Sequence, residues 1–191
     1  MPSAVTSWAG RAAAATTNAS RPVPSCRRFA SSIMSSRKLL AVCSGGGHLI
    51  ELLRLTPAFE GYSVVLASTA PEAPEGQAIA RYYRLTDSNA TQKLRLLRTA
   101  WQTAAVVFRE RPDVVLSTGA APGLLALVWA RLRCDKLVWI DSIANPEKMS
   151  LSGRIARHLT PHCYTQWPHL QRSAGVQYLG SLIPLNLEPG A

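Results

Sequence analysis

The sequence is poor in acid. It has 11 Asp and Glu against 21 Lys and Arg, and no acidic residue precedes Glu51. It has no CxxC pair: Cys26, Cys43, Cys134 and Cys163 are widely spaced, which excludes a zinc ribbon and fits reduced, buried thiols in a cytosolic protein. No run of about 18 apolar residues occurs, so no obvious helix spans a bilayer. There is no Gly-Lys-Ser/Thr phosphate loop and no Asp-x-Asp metal clamp. Charged residues make up 17% and hydrophobic residues 47%, too apolar a balance for a disordered chain. At 191 residues one domain is expected.

Six of the basic residues fall at or before Lys38, so much of the net charge of +10 belongs to an N-terminal stretch. Residues 1–36 are rich in Ala, Ser, Thr, Pro and Arg without apolar periodicity. They read as a disordered extension, suited in composition to a transit peptide, or as a start taken too early, with Met34 beginning the protein. Residues 183–191 read as a C-terminal tail.

Between these, short apolar runs alternate with helical patterns. Strands are expected at Lys38–Cys43, Tyr62–Ala67, Arg81–Leu85, Asp113–Ser117, Lys136–Ile140, His162–Thr165 and Val176–Leu179. Helices are expected at Leu49–Leu55, Ala90–Glu110, Ala120–Leu132 and Met149–Leu159. In Ala90–Glu110, Leu94, Leu97, Trp101, Ala105 and Phe108 make one apolar face, with Lys93, Arg95, Arg98 and Arg109 mostly on a basic back that reads as a solvated face. Ala120–Leu132 is apolar nearly all round. It is either a core helix or one that touches lipid with its terminal arginines at head groups. Such alternation implies βαβ units and a Rossmann-like, doubly wound parallel sheet over residues 37–182.

Ligands on such sheets sit at the strand carboxyl ends. Three ends carry polar or glycine-rich sequence: Ser44-Gly45-Gly46-Gly47-His48, Ser117-Thr118-Gly119 and Asp141-Ser142. Glycines between a strand and a helix let a phosphate approach the backbone, although a ligand-free tight turn reads the same way. A dinucleotide fingerprint fails, because Ile50 stands where Gly or Ala is needed and no acidic residue ends the second strand. His48 is a candidate base or a turn cap; Asp141 is a candidate base or ligand-binding group, or a helix cap. His158, His162, Cys163 and His169 are scattered by the strand and helix pattern, so no metal site is expected. No cofactor is implied, and the moderate charge without a recognised motif argues against nucleic acid.

The ordered set Cys43-Ser-Gly-Gly-Gly-His48-Leu, Pro112-Asp-Val-Val-Leu-Ser-Thr-Gly119, Trp139-Ile-Asp-Ser142, Leu151-Ser-Gly153, Tyr164-Thr-Gln-Trp-Pro168 and Tyr178-Leu-Gly180 resembles the small PssD-type glycosyltransferase subunits of bacterial polysaccharide synthesis. It is also similar to the membrane-anchoring subunit of the eukaryotic N-acetylglucosaminyltransferase that extends dolichol-linked sugar. The resemblance implies the N-terminal, acceptor-side half of a GT-B glycosyltransferase, as also seen in MurG, with a separate subunit binding the UDP-sugar. It implies a polyprenyl-diphosphate-linked acceptor held by Ser44, Gly45, Gly46, Gly47, Thr118, Gly119 and Ser142, with His48 and Asp141 as catalytic candidates and no metal. It places the protein peripherally on the cytoplasmic face of a membrane: the cytoplasmic membrane in a bacterium, the endoplasmic reticulum in a eukaryote. The alternative role is a non-catalytic scaffold that recruits an active partner to the membrane. Asp141 and Asn145 stand where the family usually has Glu and Arg. The eukaryotic members' N-terminal membrane helix has no counterpart in residues 1–36, which are not apolar enough, so membrane contact falls to the domain surface or a partner.

Overall fold

The computed structural model describes residues 37–87, 92–134 and 136–183. The extension, Cys26, the Met34 start, the expected helix start at Ala90 and nearly all of the tail lie outside them.

The strands are β1 (Arg37–Cys43), β2 (Tyr62–Ser68), β3 (Arg81–Arg84), β4 (Val114–Ser117), β5 (Lys136–Ile140), β6 (Cys163–Thr165) and β7 (Gln177–Tyr178). The helices are α1 (Gly47–Leu53), α2 (Lys93–Glu110), α3 (Ala120–Ala130), α4 (Leu151–Leu159) and α5 (Pro168–Ala174), with a 3₁₀ turn at Thr56–Phe59. All seven strands are parallel, in the order β3-β2-β1-β4-β5-β6-β7. The chain runs outward from β1 to β3, then returns to pair β4 on the other side of β1, with Val42 opposite Ser117. That reversal is the topological switch point, and on open parallel sheets ligands bind at the strand carboxyl ends there.

β1 shows why the central strands are continuously apolar. Leu40 and Val42 belong to a core shared with Val107, Leu127 and Trp139, under α2 and α3. Leu39, Ala41 and Cys43 face the opposite layer with Leu52, Phe59 and Leu66. Successive side chains point to opposite faces, and both faces are covered. Cys43, Cys134 and Cys163 are buried. Burial pushes the Cys43 and Cys163 thiols up to about 12, so both stay protonated.

α2 differs from its sequence pattern. Its apolar stripe points outward: Leu94 is 85% exposed, Trp101 78% and Leu97 69%. The face on the sheet is built from Thr99, Thr103, Ala104, Val106 and Val107. Threonine can pack inward here because its hydroxyl finds backbone carbonyls nearby. Thr99 Oγ1 donates to the Thr86 and Arg95 carbonyls at 2.9 and 3.0 Å, and Thr103 Oγ1 to that of Thr99 at 2.9 Å. Val106 and Val107, with Trp129 of α3 donating to the Ala100 carbonyl at 3.0 Å, then hold the helix in place. In α3 the small and apolar residues Pro122, Gly123, Ala126, Leu127 and Ala130 are buried, while Val128 and, just beyond the helix, Leu132 are exposed.

α5 and the 3₁₀ turn were not expected from the sequence. α5 starts on Pro168, well suited to a first turn, and ends on Gly175 at φ 65°.

At the amino-terminal edge of the sheet, Glu110 is buried and accepts from Lys38, Arg81 and Tyr83. Burial alone would raise its pKa. The three donors outweigh that and hold it at about 2.

Candidate functional site

The glycine loop and the end of β4 meet at the switch point. Gly45 N donates to Thr69 Oγ1 at 2.8 Å, tying the loop to the end of β2. Gly46 has φ 66°, in the left-handed region, and its carbonyl accepts from Leu49 and Ile50 at 3.1 Å each. Gly47 meets neither demand: its φ is not left-handed, and a Cβ there would stand in open space. The turn therefore accounts for Gly46 but not for Gly47.

His48 is half-buried and faces β4. Its Nδ1 lies 3.0 Å from the Thr118 carbonyl oxygen. A carbonyl only accepts, so Nδ1 carries a proton, and in the neutral imidazole the lone pair is then on Nε2. Thr118 Oγ1 donates to the His48 carbonyl at 2.7 Å, closing a reciprocal pair. Gly119 has φ 134°, and a Cβ there would lie 2.6 Å from His48 Cε1. A residue without a side chain is thus required beside the imidazole. Ser117 Oγ, fully buried, accepts from Gly119 N at 3.1 Å and fixes that turn.

The expected site residues separate into two groups. Ser44, Gly45, Gly46, Gly47, His48, Thr118 and Gly119 lie on the two strand-end turns joined by the His48–Thr118 pair. Asp141 and Ser142 belong to a neighbouring buried network. Asp141 is 2% exposed, and its carboxylate accepts from Ser150 N at 2.8 Å, from Ser150 Oγ and from Trp139 Nε1 at 3.2 Å. Ser150 in turn caps α4, its Oγ accepting from Gly153 N at 2.8 Å. The Asp141 carboxylate is thus turned to the start of α4. Ser142 Oγ donates to Glu51 Oε1 at 2.8 Å.

Glu51 was missed from the sequence. It is 2% exposed, and it also accepts from Ile143 N at 3.3 Å and Gln166 Nε2 at 2.9 Å. Gln166 uses its other face to accept from Leu182 N at 2.9 Å. One carboxylate thereby connects α1, the loop after β5, the end of β6 and the segment around Leu182. The sequence signal was present: Glu51 is the only acidic residue in an otherwise apolar helix, one turn after His48.

Among the described residues, no three His, Cys, Asp or Glu side chains converge as a metal site. No helix among them is long and apolar enough to cross a membrane.

A family model described as "Oligosaccharide biosynthesis protein Alg14 like" matches residues 67–182, which includes Thr118, Gly119, Asp141 and Ser142 and begins after the glycine loop. The UDP-N-acetylglucosamine transferase subunit ALG14 of Mus musculus is 29% identical over 184 residues, covering 78% of this chain and 84% of the mouse protein. A UDP-N-acetylglucosamine--N-acetylmuramyl-(pentapeptide) pyrophosphoryl-undecaprenol N-acetylglucosamine transferase of Synechococcus sp. (strain CC9605) is 30% identical over 142 residues, covering 67% of this chain and 37% of that enzyme. Among solved structures, MurG of Acinetobacter baumannii superposes with a TM-score of 0.58 at 12% identity, covering 78% of this chain and 47% of MurG. The UDP-N-acetylglucosamine 2-epimerase of Rickettsia bellii gives 0.54 at 16% identity, covering 77% and 45%. This chain spans about half the length of those two structures, and the likeness to them is one of fold, the Rossmann-like unit of GT-B enzymes. With the family model spanning more than half of its residues, the chain belongs to the Alg14-like family of oligosaccharide biosynthesis proteins.

Proposed function

We propose that this protein is the acceptor-side subunit of a two-component UDP-N-acetylglucosamine transferase. It binds a polyprenyl-diphosphate-linked acceptor and recruits a second subunit that holds the UDP-sugar. The observation that carries this reading is the His48–Thr118 pair at the switch point of a chain whose full-length relatives are named as transferase subunits. With Nδ1 turned to the Thr118 carbonyl, Nε2 is the ring nitrogen left to act as acceptor, and a Cβ at Gly47, the preceding residue, would meet nothing within 4 Å. An acceptor hydroxyl seated there passes its proton to Nε2 as its oxygen attacks the anomeric carbon, and the partner takes the departing UDP. The sugar inverts, and this chain's part of the step is proton transfer and positioning. Asp141 and Glu51 serve as supports that fix the β5 and β6 ends around the cleft, since their carboxylates are already occupied by internal donors.

The outward apolar stripe on α2 supports peripheral membrane association, by which a lipid-linked acceptor would be reached. A deciding experiment co-expresses the chain with the donor-binding subunit of its own organism and measures transfer from UDP-N-acetylglucosamine to a lipid-linked acceptor. The pair is expected to transfer sugar and this chain alone to show none. Full turnover by this chain alone would overturn the two-component reading.

A further inference from the structure

Gln166 and Trp167, just past the end of β6, both bond to the segment that leaves β5. Gln166, 1% exposed, donates from Nε2 to the Asp141 carbonyl at 3.1 Å. Trp167 Nε1 donates to the Ile143 carbonyl at 2.9 Å. His169, at the start of α5, has Nε2 2.6 Å from the Pro146 carbonyl, and its ring meets that of Trp167 with centroids 5.9 Å apart. From the other side Glu51 accepts from the Ser142 hydroxyl and from Ile143 N. The loop Ser142–Pro146 is thus held from α1, from the end of β6 and from α5, and Ile143 is bonded at both its nitrogen and its carbonyl. This loop lies beside the switch point. Ser117 of β4 is level with Trp139 of β5, so the chain leaves β5 at Asp141 next to the turn at Thr118 and Gly119. Glu51, the anchor on α1, follows His48 by about one helical turn. The loop has two polar side chains. Ser142 is bonded to Glu51, whereas Asn145, half-buried, makes no side-chain hydrogen bond to any other described residue.

We propose that Asn145 contacts the sugar of the lipid-linked acceptor and that Trp167 is a positioning residue that holds the Ser142–Pro146 loop in place for that contact. A carboxamide with two donors and one acceptor matches the hydroxyls of a neutral sugar. A diphosphate calls for cations, and the loop carries no Lys or Arg. Trp167 acts through the Ile143 carbonyl. A loop fixed before its ligand arrives loses less freedom on binding, and that is what the ring N–H donors of Trp167 and His169 supply. The inference rests on the acceptor reading above and adds a specificity-determining group on the β5 side of the site, separate from His48.

The test is calorimetric titration of the full chain, without partner or UDP-sugar, with two short-chain polyprenyl diphosphates in detergent: one bearing a single N-acetylglucosamine, the other bare. The parent is expected to bind the sugar-bearing lipid more tightly. Asn145→Ala is expected to weaken that binding about 10-fold, the effect of losing a hydrogen bond at the upper end of the usual range, and to leave the bare lipid unchanged. Trp167→Phe keeps a ring beside His169 and removes the N–H donor. It is expected to weaken binding of the sugar-bearing lipid about 3- to 10-fold and to leave the bare lipid unchanged. Because Trp167 acts through the loop, the double variant is expected to bind no more weakly than Asn145→Ala alone. Equal binding of the two lipids by the parent, or an Asn145→Ala chain with parent affinity for the sugar-bearing lipid, would overturn the sugar contact. A Trp167→Phe chain that loses affinity for both lipids alike, or a double variant whose losses add, would overturn the positioning role. A parent chain that binds neither lipid would refute the acceptor reading itself, whereas binding of both without response to either variant refutes this inference alone.

Discussion

His48 and Thr118, separated by 70 positions in the chain, hold each other from both directions: the imidazole Nδ1 to the Thr118 carbonyl at 3.0 Å, and the Thr118 hydroxyl to the His48 carbonyl at 2.7 Å. The pair spans the switch point between β1 and β4. It fixes both the orientation and the tautomer of the imidazole, the two properties a general base needs before substrate arrives. Each contact sets a side-chain donor against a backbone carbonyl, so the restraint depends on both side chains and on the turns that carry them.

Gly119→Ala tests that restraint from the neighbouring residue. The new Cβ would lie 2.6 Å from the imidazole at a backbone angle that side chains rarely adopt. The ring must swing away from Thr118. Transfer by the reconstituted pair should fall by about 10- to 100-fold, since small misplacements of a reacting group are costly. Partner binding should persist. Normal turnover would show that the imidazole is not held where the chemistry needs it.

Glu51→Gln tests the buried network. Each carboxylate oxygen of Glu51 accepts from fixed donors: Ile143 N and Ser142 Oγ on one side, the Gln166 amide on the other. An amide in its place must turn its own N–H₂ toward one of them. Leaving buried donors unsatisfied costs about 1–3 kcal/mol, to be read from denaturant unfolding. An unchanged midpoint would mean that the network rearranges freely.

Stability should fall in acid partly through Glu110. Its carboxyl is held at about 2, below the ordinary 4.5, by Tyr83, Arg81 and Lys38 against the opposing effect of burial. A depressed carboxyl pKa adds stability that is complete above the unfolded value and is lost as pH falls through the folded one. The window is therefore from about pH 4.5 down to about pH 2, and the contribution is on the order of 3 kcal/mol. Glu110→Gln should unfold at lower temperature at pH 7 and lose this part of the acid dependence. Parallel pH profiles for parent and variant would contradict it.

The sheet was legible because its strands are buried on both faces: runs such as Leu39–Cys43 have no polar interruption and no competing period. The glycine loop, His48 and Thr118-Gly119 were legible because topology alone sends strand ends to one edge. The orientation of α2 was not. Its strongest period belongs to the residues that face out, and the inward face carries threonines whose hydroxyls donate to carbonyls one turn back or on the preceding loop. Sequence periodicity reports that an apolar face exists but not what it touches. Asp141 was ambiguous because a strand-end carboxylate reads equally as ligand group and as helix support. Its bonds to Ser150, a residue nine positions later, decide its surroundings and leave no local trace.

The claim that this chain supplies a reacting group, and does more than anchor its partner, rests on His48. The direct measurement is the single-turnover rate of sugar transfer by the reconstituted pair, at saturating acceptor, with His48→Gln in place of the parent. Glutamine keeps a polar side chain near Thr118 but cannot take up a proton. The account predicts an intact complex and a rate lower by roughly 100-fold or more, the span expected for losing a general base. A His48→Gln complex that transfers sugar at the parent rate would contradict it and leave the chain a scaffold.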